Sequence, residues 1–404
     1  MKMNEILLKS PAVTEAYDAT LPAFDSYADE VATWLAGQEL DYAAVDEQAR
    51  GAADTERAFG FRIALKLAES RRILSELDRP VTITLINPVY KETGRIQRRS
   101  EHPHGENSIR CKAEVLKGLE EASEQLTCRM LVVDDECPDG SGKVAAQILE
   151  SDYPDEFASG KFGVLFLREA IDSKQGDVPP GLTHKDGSNR SVKGGALLFG
   201  MRTAVHHEVD GLHIIVDNDA DLSIHPAQLG LLIEAIIEGD AEAVAGSRRE
   251  FDSVALIGGS RDTRGQLFIK IWQHLLPGLA GTVIDTNRAF KAFTAGALEK
   301  ILGRIEIYTF PYQIELLQAC ISAGIPLRTR GIAYVDSEAA STQQGEAITE
   351  TYLNQVHQII DIARRYQTID SSDPLVKFLE GISEERWLQI EADPPDELAD
   401  LLTS

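Results

Sequence analysis

The hydrophobic pattern divides the chain into a helical beginning, an alternating middle and a helical end. Residues 1–80 are rich in Ala and Glu, and their apolar side chains recur as on one face of a helix. From residue 81 onward, short apolar runs end in polar turns and alternate with helical patterns. The pattern predicts a helical extension over 1–80, an α/β domain over 81–340, and a helical extension with an acidic tail over 341–404.

The middle part predicts a sheet that is mostly parallel. The expected strands cover residues 81–86, 130–133, 162–167, 212–216 and 243–245. The helices expected between them lie around 111–119 and over 194–204 and 226–237. Strands that alternate with helices are typical of a parallel sheet covered on both faces, and ligands bind beyond the carboxyl ends of its strands. Polar clusters follow the strand ends here, so they are the candidates for chemistry.

The chain is strongly acidic, with a net charge of −25 over 404 residues. This charge argues against a nucleic-acid partner or an anionic membrane surface, because both are bound through positive side chains. The four cysteines form no CxxC pair and no zinc-like spacing, which indicates a reducing, cytoplasmic location. No apolar run approaches the roughly 20 residues of a membrane-spanning helix, so we expect no transmembrane segment.

The most informative cluster consists of Asp217, Asp219 and Asp221, which follow the strand at 212–216 at alternate positions. Residues two apart in an extended chain point the same way, so the three carboxylates are expected to converge. Convergent like charges repel unless a divalent cation joins them, and Mg²⁺ or Mn²⁺ suits one or two carboxylates plus substrate phosphates. The alternative is an acidic turn in which Asp221 or Ser223 caps the next helix.

Two further clusters have side chains that can bind polar groups of a ligand. Asp135 ends the second strand, where a carboxylate can accept hydrogen bonds from a nucleobase or ribose, and the glycine-containing turn Asp139-Gly140 follows. Lys193 and Gly194 open a predicted helix and place a cation beside free backbone N–H groups, as a diphosphate requires. The structural alternatives are a plain βα turn and a capped helix start with an exposed lysine.

Two segments nearer the C-terminus place charges among apolar residues. The segment 285–293 contains Arg288 and Lys291 beside two phenylalanines, and its structural alternative is an edge strand with alternating faces. Glu315 is a single carboxylate in an otherwise apolar helical stretch. It is a candidate catalytic group, although a glutamate at such a position more often faces solvent.

In order and spacing, these clusters resemble the motifs of the family 2 glycosyltransferases, especially the dolichyl-phosphate mannosyl- and glucosyltransferase branch. The matching segments are the opening strand and turn at 81–92, the nucleoside segment at 132–142, the Gly-rich stretch at 189–200, DADLSIHP at 219–226, GSR at 246–248 and 285–293. Each motif is loose, but their common order is specific. The resemblance extends over roughly residues 81–340.

This resemblance implies a Rossmann-like GT-A fold and an inverting sugar transfer with Mg²⁺ or Mn²⁺. It assigns donor binding to Pro88, Tyr90, Glu92, Asp135, Lys193, Gly194, Asp219, Arg288 and Lys291. It assigns the metal to Asp219 and Asp221, with Asp217 and Asp219 as an open alternative because two extra residues precede the motif. By position, Glu315 is implied to be the general base that deprotonates the acceptor hydroxyl.

We therefore expect a metal-dependent glycosyltransferase with a UDP- or GDP-linked sugar donor. A small-molecule or peptide acceptor fits a chain without a membrane anchor more easily than a lipid phosphate does. The terminal helices are candidates for contacts in a homo-oligomer. The alternatives are a non-catalytic nucleotide-sugar-binding protein and a nucleotidyltransferase, which residues 87–92 disfavour because they contain no glycine.

Overall fold

The computed structural model describes residues 2–37, 41–257, 261–286, 288–337, 347–370 and 372–402. Asn287 of the motif at 285–293 and the predicted boundary between residues 340 and 341 lie outside these ranges.

A mostly parallel sheet forms the centre of the molecule. The strands of the described residues are β1 (Val81–Val89), β2 (Leu126–Asp134), β3 (Phe162–Phe166), β4 (Leu212–Asp217), β5 (Ala243–Ser247), β6 (Val254–Leu256), β7 (Lys291–Thr294), β8 (Leu327–Gly331) and β9 (Ala333–Val335). Seven lie in the order β3-β2-β1-β4-β7-β5-β8, while β6 and β9 form a separate pair. Strand β7 runs antiparallel to both of its neighbours, and the other pairs are parallel. The predicted α/β fold class with a mostly parallel sheet is confirmed.

Strand β1 is longer than the sequence pattern indicated. It continues through Asn87 and Pro88 to Val89, where a turn was expected. Pro88 lacks a backbone N–H group, yet it pairs with Val133 of β2 because β1 has no β4 partner beyond Ile86. A proline is tolerated in a strand where one side needs no donor.

The edge-strand alternative for the segment at 285–293 is wrong. Its last residues form β7, which lies between β4 and β5 rather than at the border of the sheet. Phe293 and Ala292 point to opposite faces, and both side chains are completely buried. The mix of cations and aromatics in this segment therefore belongs to the middle of the sheet.

Helices cover both faces of the sheet. Those of the described residues are α1 (Met3–Leu7), α2 (Pro22–Ala36), α3 (Tyr42–Arg50), α4 (Thr55–Ser75), α5 (Thr93–Ile96), α6 (Ser108–Glu121), α7 (Ser141–Asp152), α8 (Pro154–Ala158), α9 (Leu167–Asp172), α10 (Gly194–Val205), α11 (Leu229–Ile237), α12 (Arg261–Leu275), α13 (Pro277–Ala280), α14 (Ala295–Ile301), α15 (Tyr312–Ser322), α16 (Ala347–Arg365), α17 (Pro374–Glu380), α18 (Glu384–Ala392) and α19 (Asp396–Leu401). Short 3₁₀ turns occupy Ala16–Thr20, Pro226–Gln228 and Leu302–Arg304. The predicted helix at 226–237 thus begins as a 3₁₀ turn and continues as α11.

Two apolar cores lie on opposite faces of the sheet, because successive strand residues alternate in direction. Leu85 packs with α6, α7 and α11 on one face, whereas Ile86 packs with α10, α14 and the C-terminal helices on the other. A third core joins the N-terminal helices to Leu222 and Val335, beyond the sheet. The N-terminal helices therefore pack directly on the chain that follows β4.

Helices α4 and α11 approach until their backbones touch. The Gly230 N–H donates to the Ser70 hydroxyl at 2.8 Å. A Cβ atom at Gly230 would lie 2.2 Å from the Ser70 carbonyl oxygen, closer than any real contact. This glycine sets the distance between the N-terminal helices and the sheet domain.

We expect Gly230→Ala to lower the free energy of unfolding by about 1–3 kcal/mol, because the helices must move apart. Gly118, on the exposed face of α6, is the matched control, since a Cβ there meets no atom within 4 Å. Gly118→Ala should raise the free energy of unfolding by about 0.5–1 kcal/mol through helix propensity. Urea denaturation measures both, and an equal effect of the two substitutions would contradict this packing.

Candidate active site

Three strands deliver the polar clusters to one edge of the sheet. Strands β1, β2 and β4 are parallel neighbours, with Asp134 opposite Val89 and Asp217 opposite Ile86. Their carboxyl ends therefore lie side by side, and the loops at 90–92 and 218–223 leave the sheet from this edge. The structure thus places three of the predicted clusters at neighbouring strand ends.

Lys193 connects two of the clusters. Its backbone N–H donates to Asp135 at 2.7 Å, and its ammonium forms an ion pair with Asp219. Its φ of +70° lies in a region that residues with a side chain seldom adopt. Burial raises the pKa of the Asp135 carboxyl, which also lies 3.5 Å from the Asn189 amide nitrogen.

Asp219 and Asp221 are partly exposed on the loop after β4, whereas Asp217 is completely buried. The Asp217 carboxylate accepts the Lys291 N–H at 2.5 Å and lies 3.5 Å from the Tyr312 hydroxyl, and burial raises its pKa. The alternative register with Asp217 as a metal ligand does not fit this placement, because Asp217 faces the protein interior.

The charge of Asp219 is balanced by cations. Burial acts to raise its pKa, but the Lys193 ammonium and the Arg288 guanidinium hold the pKa of Asp219 below its usual range. One oxygen of Asp221 accepts the Ser223 N–H at 3.1 Å, which is a turn within the loop. The next helical turn is capped by His225, whose ring nitrogen accepts the Ala227 N–H at 3.2 Å, so the prediction that Asp221 or Ser223 caps it is wrong.

The carboxylates of Asp219 and Asp221 are suited to a cation that also binds a ligand. Within the described ranges, no group of three or more His, Cys, Asp or Glu side chains converges as a complete metal site. Asp219 and Asp221 instead offer partly exposed oxygens on one loop. Such a donor set suits a divalent cation whose remaining ligands are substrate phosphates and water.

Helix α6 and Glu106, which precedes it, hold the backbone of the loop at 218–223 in place. Lys112 is fully buried and donates to the Asn87 side-chain oxygen at 2.9 Å and to the Asp219 carbonyl. Glu106 accepts the Leu222 N–H at 2.9 Å and the Ser337 hydroxyl. Burial lowers the pKa of Lys112 to about 8.

Lys112 was not among the predicted site residues, although the sequence carried a signal for it. Lys112 occupies the apolar face of α6 with Ile109, Ala113 and Leu116, where a lysine is rare unless it has a partner. Glu106 precedes the helix and had no comparable signal.

The loop after β1 is tied to the loop after β2. The Lys91 N–H points to the Cys137 sulfur at 3.1 Å, and the Glu92 N–H donates to the Ser141 hydroxyl at 2.9 Å. Glu92 pairs with Arg95 at 2.7 Å, and burial raises the pKa of Glu92 to about 7. Cys137, in the loop after β2, therefore has a structural role.

Two predicted donor-binding residues at β1 differ in exposure. Tyr90 is 42% exposed, and Lys91 lies 5.6 Å from the centroid of its ring. Pro88 is buried within β1, so it shapes the strand end and offers no surface to a ligand.

Arg288 faces the cluster, but Lys291 does not. The Arg288 guanidinium lies 5.2 Å from the centre of the Tyr334 ring, and its Nε has no hydrogen-bond partner among the described residues. The Lys291 ammonium is buried and donates to Gln313 at 2.6 Å and to the Arg288 carbonyl. Because its ammonium is buried, Lys291 offers no direct contact to a ligand in this arrangement; it supports the backbone of Arg288, and burial lowers its pKa.

The general-base role implied for Glu315 does not fit the structure. Its side chain is completely buried and forms an ion pair with Arg365. Its carboxylate also accepts the N–H groups of Glu306 at 3.1 Å and Ile307 at 2.7 Å. Because its oxygens are engaged and unexposed, Glu315 cannot receive a proton from an acceptor in this arrangement.

The chain is similar in sequence to a known protein. The chain is similar to the undecaprenyl-phosphate mannosyltransferase of Micrococcus luteus, with 26% identity over 227 residues, which are 56% of this chain and 79% of that protein. No protein-family model matches the chain.

Solved structures of two synthases align with the chain. Glucosyl-3-phosphoglycerate synthase of Mycobacterium tuberculosis aligns with a TM-score of 0.46 and 15% identity, over 76% of this chain and 86% of that one. Mannosyl-3-phosphoglycerate synthase of Rubrobacter xylanophilus aligns with a TM-score of 0.47 and 17% identity, over 78% and 82%. The Mycobacterium enzyme was also crystallised with Mn²⁺, uridine diphosphate and glucosyl-3-phosphoglycerate. At these scores the likeness carries no residue-level inference.

The Micrococcus relative confirms the resemblance that the ordered motifs indicated. The chain therefore resembles glycosyltransferases both in its ordered motifs and in its overall sequence. Among the helices that the structure describes, none is both long enough and apolar enough to cross a membrane.

Replacing Lys112 by Met should loosen the loop that carries Asp219 while keeping the buried volume. We expect the affinity for Mn²⁺, measured by calorimetry in the presence of a nucleoside diphosphate, to fall roughly tenfold to a hundredfold. Lys117→Met on the same helix is the control, because the Lys117 side chain reaches the surface and pairs with Glu156. An unchanged affinity in a folded Lys112→Met variant would rule out this positioning role.

Proposed function

We propose that this chain is a metal-dependent glycosyltransferase that takes its sugar from a UDP- or GDP-linked donor bound at the carboxyl edge of the sheet. The observation that carries the proposal is the link between Asp135, Lys193 and Asp219. A nucleotide-sugar needs a group for the nucleoside and positive charge for the diphosphate, and this arrangement supplies both within one continuous contact network.

In the proposed reaction, the acceptor oxygen forms a bond to the anomeric carbon while the bond from that carbon to the diphosphate breaks. The diphosphate leaves with the bonding electrons, and the proton of the acceptor hydroxyl passes to water. Lys193 and Arg288 lie at the cluster and stabilise the charge that develops on the diphosphate. Asp219 and Asp221 would hold a Mg²⁺ or Mn²⁺ ion, which would supply further positive charge there.

The acceptor is proposed to be a small molecule or a peptide. The Micrococcus relative is an undecaprenyl-phosphate mannosyltransferase, which makes a lipid phosphate the alternative. Transfer of radiolabelled sugar to soluble acceptors or to a lipid phosphate in detergent distinguishes the two. The cytoplasmic location and the homo-oligomer through the terminal helices stay predictions.

We expect Asp219→Asn and Asp221→Asn to lower turnover roughly a hundredfold or more, since each removes charge that organises the departing diphosphate. In the same variants, the thermal stabilisation by UDP or GDP should no longer depend on Mn²⁺. Asp240→Asn is a matched control, because Asp240 is an exposed acid beyond α11.

Full turnover and metal-dependent stabilisation in both site variants would defeat this assignment. Metal-dependent stabilisation of the unmodified protein without sugar transfer or donor hydrolysis would indicate a non-catalytic nucleotide-sugar-binding protein instead.

A further inference from the structure

Helix α16, in the C-terminal part of the chain, contacts both α15 and the segment that precedes it. Arg365 pairs with the buried Glu315, and Gln358 lies 2.6 Å from the Thr309 hydroxyl, which donates to it. Both contacts are polar and directional, so they fix the position of this segment relative to α16.

Glu315 connects Arg365 of α16 to the backbone of residues 306 and 307. Its carboxylate accepts the N–H groups of Glu306 and Ile307, one of them at 2.7 Å. A carboxylate that is shared between two backbone amides and a guanidinium holds all three in a defined arrangement. The segment from Glu306 to Thr309 is therefore anchored at both of its ends.

Tyr308, in the middle of this segment, supports the backbone around Lys193. Its carbonyl accepts the N–H of Val192 at 2.9 Å and the N–H of Gly195 at 3.1 Å. A Cβ atom at Gly194 would lie 2.7 Å from the Tyr308 carbonyl carbon, so a glycine is required there.

The backbone conformation of Lys193 depends on such support. A φ of +70° is strained for a lysine and persists only where the surrounding structure imposes it. In this conformation the Lys193 N–H reaches Asp135 and its ammonium reaches Asp219. Relaxation of Lys193 to an ordinary φ would break at least one of these contacts.

We propose that Arg365 and Glu315 are positioning residues that preorganise Lys193 for the donor diphosphate, through the segment 306–309. The inference rests on the proposed donor site. It gives the C-terminal helix α16 a part in donor binding, and it gives Glu315 a role that its complete burial allows.

The test compares the binding of UDP and GDP, with Mn²⁺ and without acceptor, between the full-length protein and its variants. We expect Arg365→Met and Glu315→Gln each to weaken nucleotide binding roughly threefold to thirtyfold. The double variant should bind about as weakly as the weaker single variant, because the two side chains act as one unit. Arg364→Met is the matched control on the same helix, since Arg364 pairs with Glu380 at the surface.

A general base for the acceptor would behave differently. Its loss would reduce kcat and remove a limb of the pH profile, while nucleotide binding without acceptor stayed unchanged. That outcome for Glu315→Gln would overturn the proposal.

Thr309→Val keeps the test decisive if the buried pair proves necessary for folding. It removes only the hydroxyl that donates to Gln358, and we expect a loss of nucleotide affinity of roughly threefold. Circular dichroism and the melting temperature establish which variants are folded. If the unmodified protein binds nucleotide and every folded variant binds it equally well, only this inference fails. If the unmodified protein binds no nucleotide, the proposed function fails first.

Discussion

The site depends on how one lysine is held. Lys193 occupies a strained backbone conformation in which its amide binds one acid and its ammonium binds another. The two acids follow different strands, β2 and β4, so the lysine joins loops that the sheet only brings near each other. Several other features of the molecule serve this arrangement: the glycine after the lysine, the Tyr308 carbonyl and the parallel order of β2, β1 and β4.

Buried charge is the second physical theme of this edge of the sheet. Lys112 and Asp217 are completely buried, and each has hydrogen-bond partners, as buried ionisable groups require. These groups face the interior, whereas Asp219 and Asp221 face outward. Asp219 and Asp221 are thus available to a ligand, whereas Lys112 and Asp217 stabilise the backbone around them.

The polar residues at the strand ends could be predicted from the sequence, because apolar runs mark the strands and polar residues follow them directly. Asp135 and Asp219 each follow an apolar run, and parallel strands bring their carboxyl ends together, so their proximity needed no structural information. The β7 position in the middle of the sheet could not be predicted, because an antiparallel insertion between β4 and β5 is decided by long-range pairing.

The roles of individual charged residues were harder to predict than their existence. Glu315 and Lys291 were both recognised as unusual, but their partners decide what they do, and Arg365 is distant from Glu315 in the sequence. The apolar face of α6 marks Lys112 as unusual, but its partners, Asn87 and the Asp219 carbonyl, come from distant parts of the sequence. In each case the missing information was which element packs against the residue.

The most direct test of the account is a crystal structure with Mn²⁺ and a nucleoside diphosphate, with UDP and GDP tried in parallel. We expect an anomalous manganese peak beside Asp219 or Asp221 and the base near Asp135. The Lys193 ammonium should have turned from Asp219 to the diphosphate. A nucleotide bound elsewhere with the Lys193–Asp219 pair intact, or a manganese peak away from both carboxylates, would contradict the account.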